Sequence, residues 1–241
     1  MKVRSWAGSR QGSGRGENQD AYGLDPERGL FVLSDGMGGH AEGARASRRV
    51  VQEMLSPPDP RDTRAGTRLA QLRQAVFRSH QRVAELAGAL GHQGDMGATL
   101  VCLWLNRERY QLATVGDSRA YLLREGRLYQ LNEDHTLVRK YLREGVIDSE
   151  EAEGHPQGHV LTQAMGVSRV EPDLFEGRLR EGDRFLLTSD GLHGVLEEAE
   201  IADILKQSQG PDQAGRDLLE MVEQRRGDDD ATVVVVFAQP G

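Results

Sequence analysis

The stretch Gly116-Asp117-Ser118-Arg119-Ala120-Tyr121-Leu122-Leu123-Arg124-Glu125-Gly126-Arg127-Leu128-Tyr129-Gln130-Leu131 decides how this 241-residue chain is read. The runs on either side of Glu125-Gly126 have strand length, and a two-residue link ending in glycine between such runs signals a β-hairpin. At least part of the sheet system is therefore antiparallel. The stretch also opens on an aspartate in a glycine-containing turn beside a strand, and that pattern recurs along the chain.

Working outward, short apolar runs at residues 29–34, 98–105, 110–115, 120–123, 184–188 and 231–237 read as strands. Residues 41–55 and 64–90 carry helical spacing. Pro57 and Pro58 close the first, and Leu69, Leu72, Val76, Val83, Leu86 and Leu90 fall near one face of the second. Residues 197–207 and 212–224 form a later helical pair, parted by Gly210 and Pro211. This order lacks the regular alternation of a doubly wound fold, so an α+β layered domain is expected. No internal repeat or linker-like shift divides the chain, and one domain over residues 1–241 is expected. The polar segment 133–160 holds His135, His155 and His159. It reads either as a flap with short helices or as an ordinary surface excursion.

Acidic residues number 38 against 30 basic ones, for a net charge of −8. That balance speaks against sequence-independent nucleic-acid binding, which rests on a basic surface. The single cysteine, Cys102, excludes an intramolecular disulfide, a four-thiolate zinc site and a CxxC redox pair. The N-terminal stretch has no apolar core of a signal peptide, and no run has the length of a membrane span. A soluble, cytoplasmic protein without membrane association is expected.

Four strand ends carry aspartates in tight contexts: Ser34-Asp35-Gly36, Gly116-Asp117-Ser118, Ser189-Asp190-Gly191 and Gly227-Asp228-Asp229-Asp230-Ala231. Taken singly, each is an ordinary turn. If the strands are neighbours, their same-side ends bring the carboxylates together, and the mutual repulsion calls for a bound cation. Oxygen donors without thiolates select Mg²⁺ or Mn²⁺ over Zn²⁺ or Cu²⁺. Several carboxylates can hold two ions about 3.5–4 Å apart, the spacing of two-metal hydrolytic sites. Phosphate chemistry also needs a fixed positive group. Arg15, between Gly14 and Gly16, is the candidate, and an exposed loop arginine is the alternative. The Cys-x₅-Arg loop of thiol phosphatases, the G-x-S-x-G elbow, H-E-x-x-H and the G-x-x-x-x-G-K-[ST] phosphate loop are absent from the sequence.

Seven strings occur in one order: Arg15-Gly16-Glu17-Asn18-Gln19-Asp20, Ser34-Asp35-Gly36-Met37-Gly38-Gly39-His40, Met96-Gly97-Ala98-Thr99-Leu100, Val115-Gly116-Asp117-Ser118-Arg119, Leu161-Thr162-Gln163-Ala164-Met165-Gly166, Thr188-Ser189-Asp190-Gly191-Leu192 and Asp229-Asp230-Ala231-Thr232. Together they resemble the bacterial form of the metal-dependent serine/threonine protein phosphatases, the PPM or type 2C family, over almost the whole chain. The resemblance implies an α+β fold whose central antiparallel β-sandwich is flanked by pairs of helices, in four layers α-β-β-α. It implies that Asp35 bridges two metals, that Gly36 lends a backbone carbonyl, and that Asp190 and Asp229 complete the second metal. Asp117 stands where bacterial members share a third, weaker metal with Asp190. Arg15 matches the phosphate-binding arginine, Asp20 a carboxylate supporting the metal-bound waters, and residues 133–160 the flap.

The implied cofactors are Mn²⁺ or Mg²⁺, two core ions and a third. The implied substrates are phosphorylated proteins, opposite a cognate Ser/Thr kinase, with the chain working as a monomer. The implied chemistry is in-line attack by a metal-bridging hydroxide with no covalent enzyme intermediate. The proton donor to the leaving oxygen is either His40 or a metal-bound water, because the histidine that some members place directly after the Asp-Gly is Met37 here. The family's Asp-Asn before the last strand is Asp229-Asp230, preceded by Asp228, which leaves the register of that ligand open. Two other readings compete. One is a noncatalytic member that only binds a partner, against which stand the retained Asp35, Asp190, Asp229 and Arg15. The other is a metal-dependent nuclease, for which a basic groove is missing.

Overall fold

The strands assemble into two sheets. In the first the order is β1 (Lys2–Arg10), β11 (Ala231–Gln239), β10 (Arg184–Thr188), β7 (Arg119–Arg124) and β8 (Arg127–Gln130). In the second it is β2 (Asp20–Asp25), β3 (Leu30–Met37), β5 (Leu100–Leu105), β6 (Arg109–Val115) and β9 (Asp173–Arg178), with the two-residue β4 (Gly97–Ala98) beside the end of β3. Every pairing is antiparallel. This computed structural model describes residues 2–13, 16–56, 67–106, 108–152, 154–167 and 169–239, apart from the side chain of His40.

The expected hairpin is the β7–β8 pair. Glu125 and Gly126 both have positive φ, 51° and 76°, as a type I′ turn requires. The interior strands have apolar side chains on both faces because both faces are covered. Phe31, Leu33, Val101, Leu103, Leu112, Leu122, Phe185, Leu187, Val234 and Val236 meet between the sheets. The opposite face of the second sheet packs Val32, Leu100 and Cys102 against Val50, Leu72, Val76 and Val83. Those last residues belong to α1 (His40–Leu55) and α2 (Arg68–Leu90). The outer face of the first sheet packs Tyr121, Leu186, Val233 and Val235 against α5 (Asp190–His193), α6 (Glu198–Gln207) and α7 (Pro211–Gln224). The result is the four-layer α-β-β-α sandwich that the resemblance implied.

Local chemistry sets the helix ends. α2 begins at Arg68, where the Thr67 hydroxyl accepts from the Ala70 N–H at 3.2 Å and so supplies a cap, and the expected start at residue 64 lies outside the described residues. Residues 57–66 lie outside the described part. The segment 133–160 contains α3 (Leu137–Glu144) and α4 (Ser149–Ala152). Its base is fastened by a bridge between Thr136 and Leu161 and by the Leu137 N–H donating to the Val160 carbonyl at 2.8 Å. β1, β2 and β9 are additions to the strands read from the sequence. Among the described residues no helix is long and apolar enough to cross a membrane.

Candidate metal centre

Four of the aspartates singled out in the sequence lie at one end of the sandwich. β2 and β3 place Asp20 and Asp35 directly opposite each other in the ladder. Asp117 sits in the turn between β6 and β7, and Asp190 opens α5 at the end of β10. Burial raises the Asp35 carboxyl well above the ordinary carboxylate range, and Asp20, Asp190 and Asp117 raise it further by repulsion. Burial first, with Asp190 and Asp230 adding to it, pushes Asp20 up to about 7. Burial, then Asp190 and Asp134, brings Asp117 to about 7 as well.

For Asp20 and Asp35 the neighbouring charges named are all of the same sign, while Arg119 offsets part of the effect on Asp117. Asp20 Oδ1 and Asp190 Oδ1 are buried and accept from no protein donor among the described residues, which is costly unless a cation or water meets them. The donor set is all oxygen, as hard divalent ions require. No three His, Cys, Asp or Glu side chains among the described residues are arranged to hold an ion by themselves. A divalent ion here would draw on backbone carbonyl and water oxygens as well as carboxylates. The residues fit a divalent centre on these grounds.

The Asp35-Gly36 peptides are fixed from both sides. Thr99 donates its N–H to the Asp35 carbonyl at 2.8 Å, and its hydroxyl accepts from the Asp35 N–H at 2.9 Å. The same hydroxyl lies 2.6 Å from Ser118 Oγ, which ties the β3 end to the Asp117 turn. Gln19 grips the next residue: its carbonyl accepts from the Gly36 N–H at 3.1 Å. With its amide oriented to suit its neighbours, the Gln19 side chain donates to the Gly36 carbonyl at 3.2 Å and the Gly39 carbonyl at 3.1 Å. Gly36 has to be glycine, since a Cβ there would lie 2.0 Å from the Gly43 carbonyl oxygen.

The three-carboxylate run before β11 divides its labour. Asp230, only 2% exposed, accepts from the Gly12 N–H on Oδ1 and the Gln19 N–H on Oδ2, both at 2.8 Å. Both of its oxygens are thus committed to the loop that contains Arg15. Asp228 is exposed, and Asp229 is half-buried between the two. Asp229 Oδ1 also accepts from the Asp230 N–H at 2.6 Å. Of the three, Asp229 is neither exposed like Asp228 nor bonded through both oxygens to the loop after β1 like Asp230. Beside this segment the Ser189 hydroxyl donates to Asp20 Oδ2 at 2.7 Å and accepts from the Thr232 N–H at 3.0 Å, linking β2, β10 and β11.

His135 secures the Asp117 turn from the other side. Its Nδ1 accepts from the Gly116 N–H at 3.2 Å, its backbone N–H donates to the Gly116 carbonyl at 2.9 Å, and its Nε2 lies 3.1 Å from Asp173. Arg119 forks onto Asp134, with its closest contact 2.6 Å. The sequence reading missed Gln19, Thr99, Ser189 and Asp230 as site supports. All four stand inside or beside the quoted strings, but a hydrogen bond to another segment's backbone leaves no mark in spacing. Arg15 and the side chain of His40 lie outside the described residues.

Fold and site define a class: two-sheet α-β-β-α proteins with an all-oxygen candidate metal centre at one end of the sandwich. The family model for protein phosphatase 2C matches residues 8–231, and the chain belongs to that family. It is 36% identical over 235 residues to the serine/threonine protein phosphatase PstP of Mycobacterium tuberculosis, an alignment covering 98% of this chain and 45% of that protein. The chain thus spans about half the length of that relative. The crystal structure of the Mycobacterium tuberculosis serine/threonine phosphatase PstP/Ppp superposes with a TM-score of 0.90 at 35% identity, covering 100% of each chain. A structure of the PstP catalytic domain in complex with two manganese ions superposes at 0.86 with 34% identity, covering 99% of each chain.

Proposed function

We propose that this chain is the catalytic domain of a Mn²⁺- or Mg²⁺-dependent protein phosphatase that hydrolyses phosphoserine and phosphothreonine esters. The observation that carries the reading is the grouping of Asp20, Asp35, Asp117 and Asp190, with two buried carboxylate oxygens that lack a protein donor among the described residues. Asp35, the Gly36 carbonyl, Asp190 and Asp229 are the residues that would hold two ions, with Asp117 and Asp190 available to a third. The manganese of the PstP catalytic domain supports this assignment. Bound there, divalent ions supply a water ionised near neutral pH and screen the charge of the phosphoryl group.

The chain's own residues do the rest. Arg15 holds two phosphoryl oxygens and turns the ester for in-line attack. Gln19 and Thr99 fix the Asp35-Gly36 peptides, so the ligand oxygens need little rearrangement as charge develops. Asp20, held by Ser189, orients water next to the centre. The leaving serine or threonine oxygen takes its proton from His40 or from water. The segment 133–160, fastened at its base, forms the flap over the approach to the site. The expected setting is cytoplasmic, as a monomer opposing a Ser/Thr kinase.

The direct test is phosphate release from p-nitrophenyl phosphate and from a phosphothreonine peptide. Activity is expected with Mn²⁺ or Mg²⁺ and none with excess chelator; equal rates with and without chelator would remove the metal reading. In Arg15→Ala we expect KM for the phosphopeptide to rise about tenfold or more with a smaller change in kcat, since the guanidinium orients phosphate without supplying the nucleophile. An unchanged KM would take Arg15 out of the site.

A further inference from the structure

A cavity of about 210 Å³ lies between α2 and the loop that leads into β9. Arg73, Phe77 and His80 reach it from α2, spaced so that they share one face of the helix. Arg169, Val170 and Glu171 reach it from the loop. Two guanidinium groups therefore share the cavity with a single carboxylate.

Among the described residues neither arginine makes an ion pair. Arg109, Arg119, Arg124, Arg139 and Arg180 all pair with carboxylates. Arg73 has no such partner among the described residues and instead stands over the Phe77 ring, 5.6 Å from its centroid. Arg169 has none either, and is exposed. Phe77 is 37% exposed, an unusual state for so large an apolar ring, and forms an apolar wall. His80 Nδ1 accepts from the Gly166 N–H at 3.0 Å, which leaves the hydrogen of the neutral ring on Nε2.

The cavity borders the catalytic end of the sandwich. Met165, at the head of its loop, bridges to Ala98, which pairs with Gly36. At the loop's other end Asp173 opens β9 opposite Thr114, three residues before Asp117. In a chain of net charge −8, an acidic substrate meets general repulsion. Two unpaired guanidinium groups at this edge offset it locally.

We propose that this cavity is a subsite for an aspartate or glutamate side chain of the phosphoprotein substrate, flanking the phosphorylated residue, with Phe77 packing against that side chain's methylenes. The proposal rests on the protein phosphatase reading and adds a sequence preference to it.

The test uses phosphothreonine peptides that differ only in carrying glutamates or alanines beside the phosphorylated residue. The unaltered protein is expected to favour the acidic peptides by about three- to tenfold in kcat/KM, through KM, with the preference shrinking as salt rises. The double substitution Arg73→Glu, Arg169→Glu should abolish or reverse the preference and leave p-nitrophenyl phosphate turnover unchanged. Equal handling of both peptide sets by the unaltered protein, or a preference that survives in the double variant, would overturn the subsite. Turnover of p-nitrophenyl phosphate with no hydrolysis of any phosphopeptide would overturn the protein phosphatase reading itself, and the subsite with it.

Discussion

Asp190→Ala is expected to reduce phosphate release by roughly a thousandfold or more, because it removes a carboxylate that two ions would share. The same substitution should stabilise the metal-free protein. Asp190 is among the charges that raise Asp35, Asp20 and Asp117. A carboxylate with a raised pKa binds its proton more tightly folded than unfolded. The metal-free protein therefore loses stability as pH climbs from about 4 through about 7, where Asp20 and Asp117 must ionise while buried and beside the charge of Asp190. Removing one repelling partner lightens that cost. With chelator at pH 8, the Asp190→Ala melting temperature should exceed that of the unaltered protein by about 2–4 °C, what ~1 kcal/mol is worth in a domain of this size. At pH 5 the difference should close. Activity within tenfold of the unaltered protein would sink the site assignment, and equal melting temperatures at both pH values would mean that the carboxylates do not repel.

Asp230→Ala is expected to lose both stability and substrate affinity. It orphans the buried N–H groups of Gly12 and Gln19, each at a cost of about 1–3 kcal/mol. The melting temperature should fall by roughly 10 °C, and exchange of the Gly12 and Gln19 amide hydrogens should quicken by at least about tenfold. Asp230→Asn should fall between, since an amide has one acceptor oxygen where the carboxylate has two. KM should rise in Asp230→Ala, because Arg15 belongs to the loop that the two bonds hold at its ends. Unchanged melting and unchanged exchange would show that the loop is held by other contacts.

What the sequence revealed of the fold follows from where each strand lies in its sheet. Residues 29–34, 98–105, 110–115, 120–123, 184–188 and 231–237 correspond to the interior strands β3, β5, β6, β7, β10 and β11. Each is covered by the opposite sheet on one face and by helices on the other, so its apolar run is nearly unbroken. β1, β2 and β9 went unread, and all three are edges. Lys2, Arg4, Glu176 and Arg178 face water there, and their polar side chains break up the apolar run. The remaining edge, β8, was legible only through its turn.

The carboxylates were legible for a different reason. Asp35, Asp117 and Asp190 stand at the abrupt ends of interior strands, where an apolar run meets a charge. Asp229 and Asp230 look alike in sequence, and only the hydrogen bonds from Gly12 and Gln19 tell them apart. Arg73 and Arg169 lie nearly a hundred residues apart in the chain, so no local pattern joins them.

The pairing of β1 with β11 bears on how the protein comes into being. Lys2 lies opposite Gln239 and Arg10 opposite Ala231, so β1 has no sheet partner until β11, far later in the chain, has been made. The loop after β1 waits too, because Asp230 leaves the ribosome long after Gly12 and Gln19. Contacts of such long sequence separation form late and slowly. A nascent chain that stops short of residue 229 has neither Asp229 nor the Asp230 anchor for the loop after β1. Synthesis must pass β11 before the candidate metal centre can assemble.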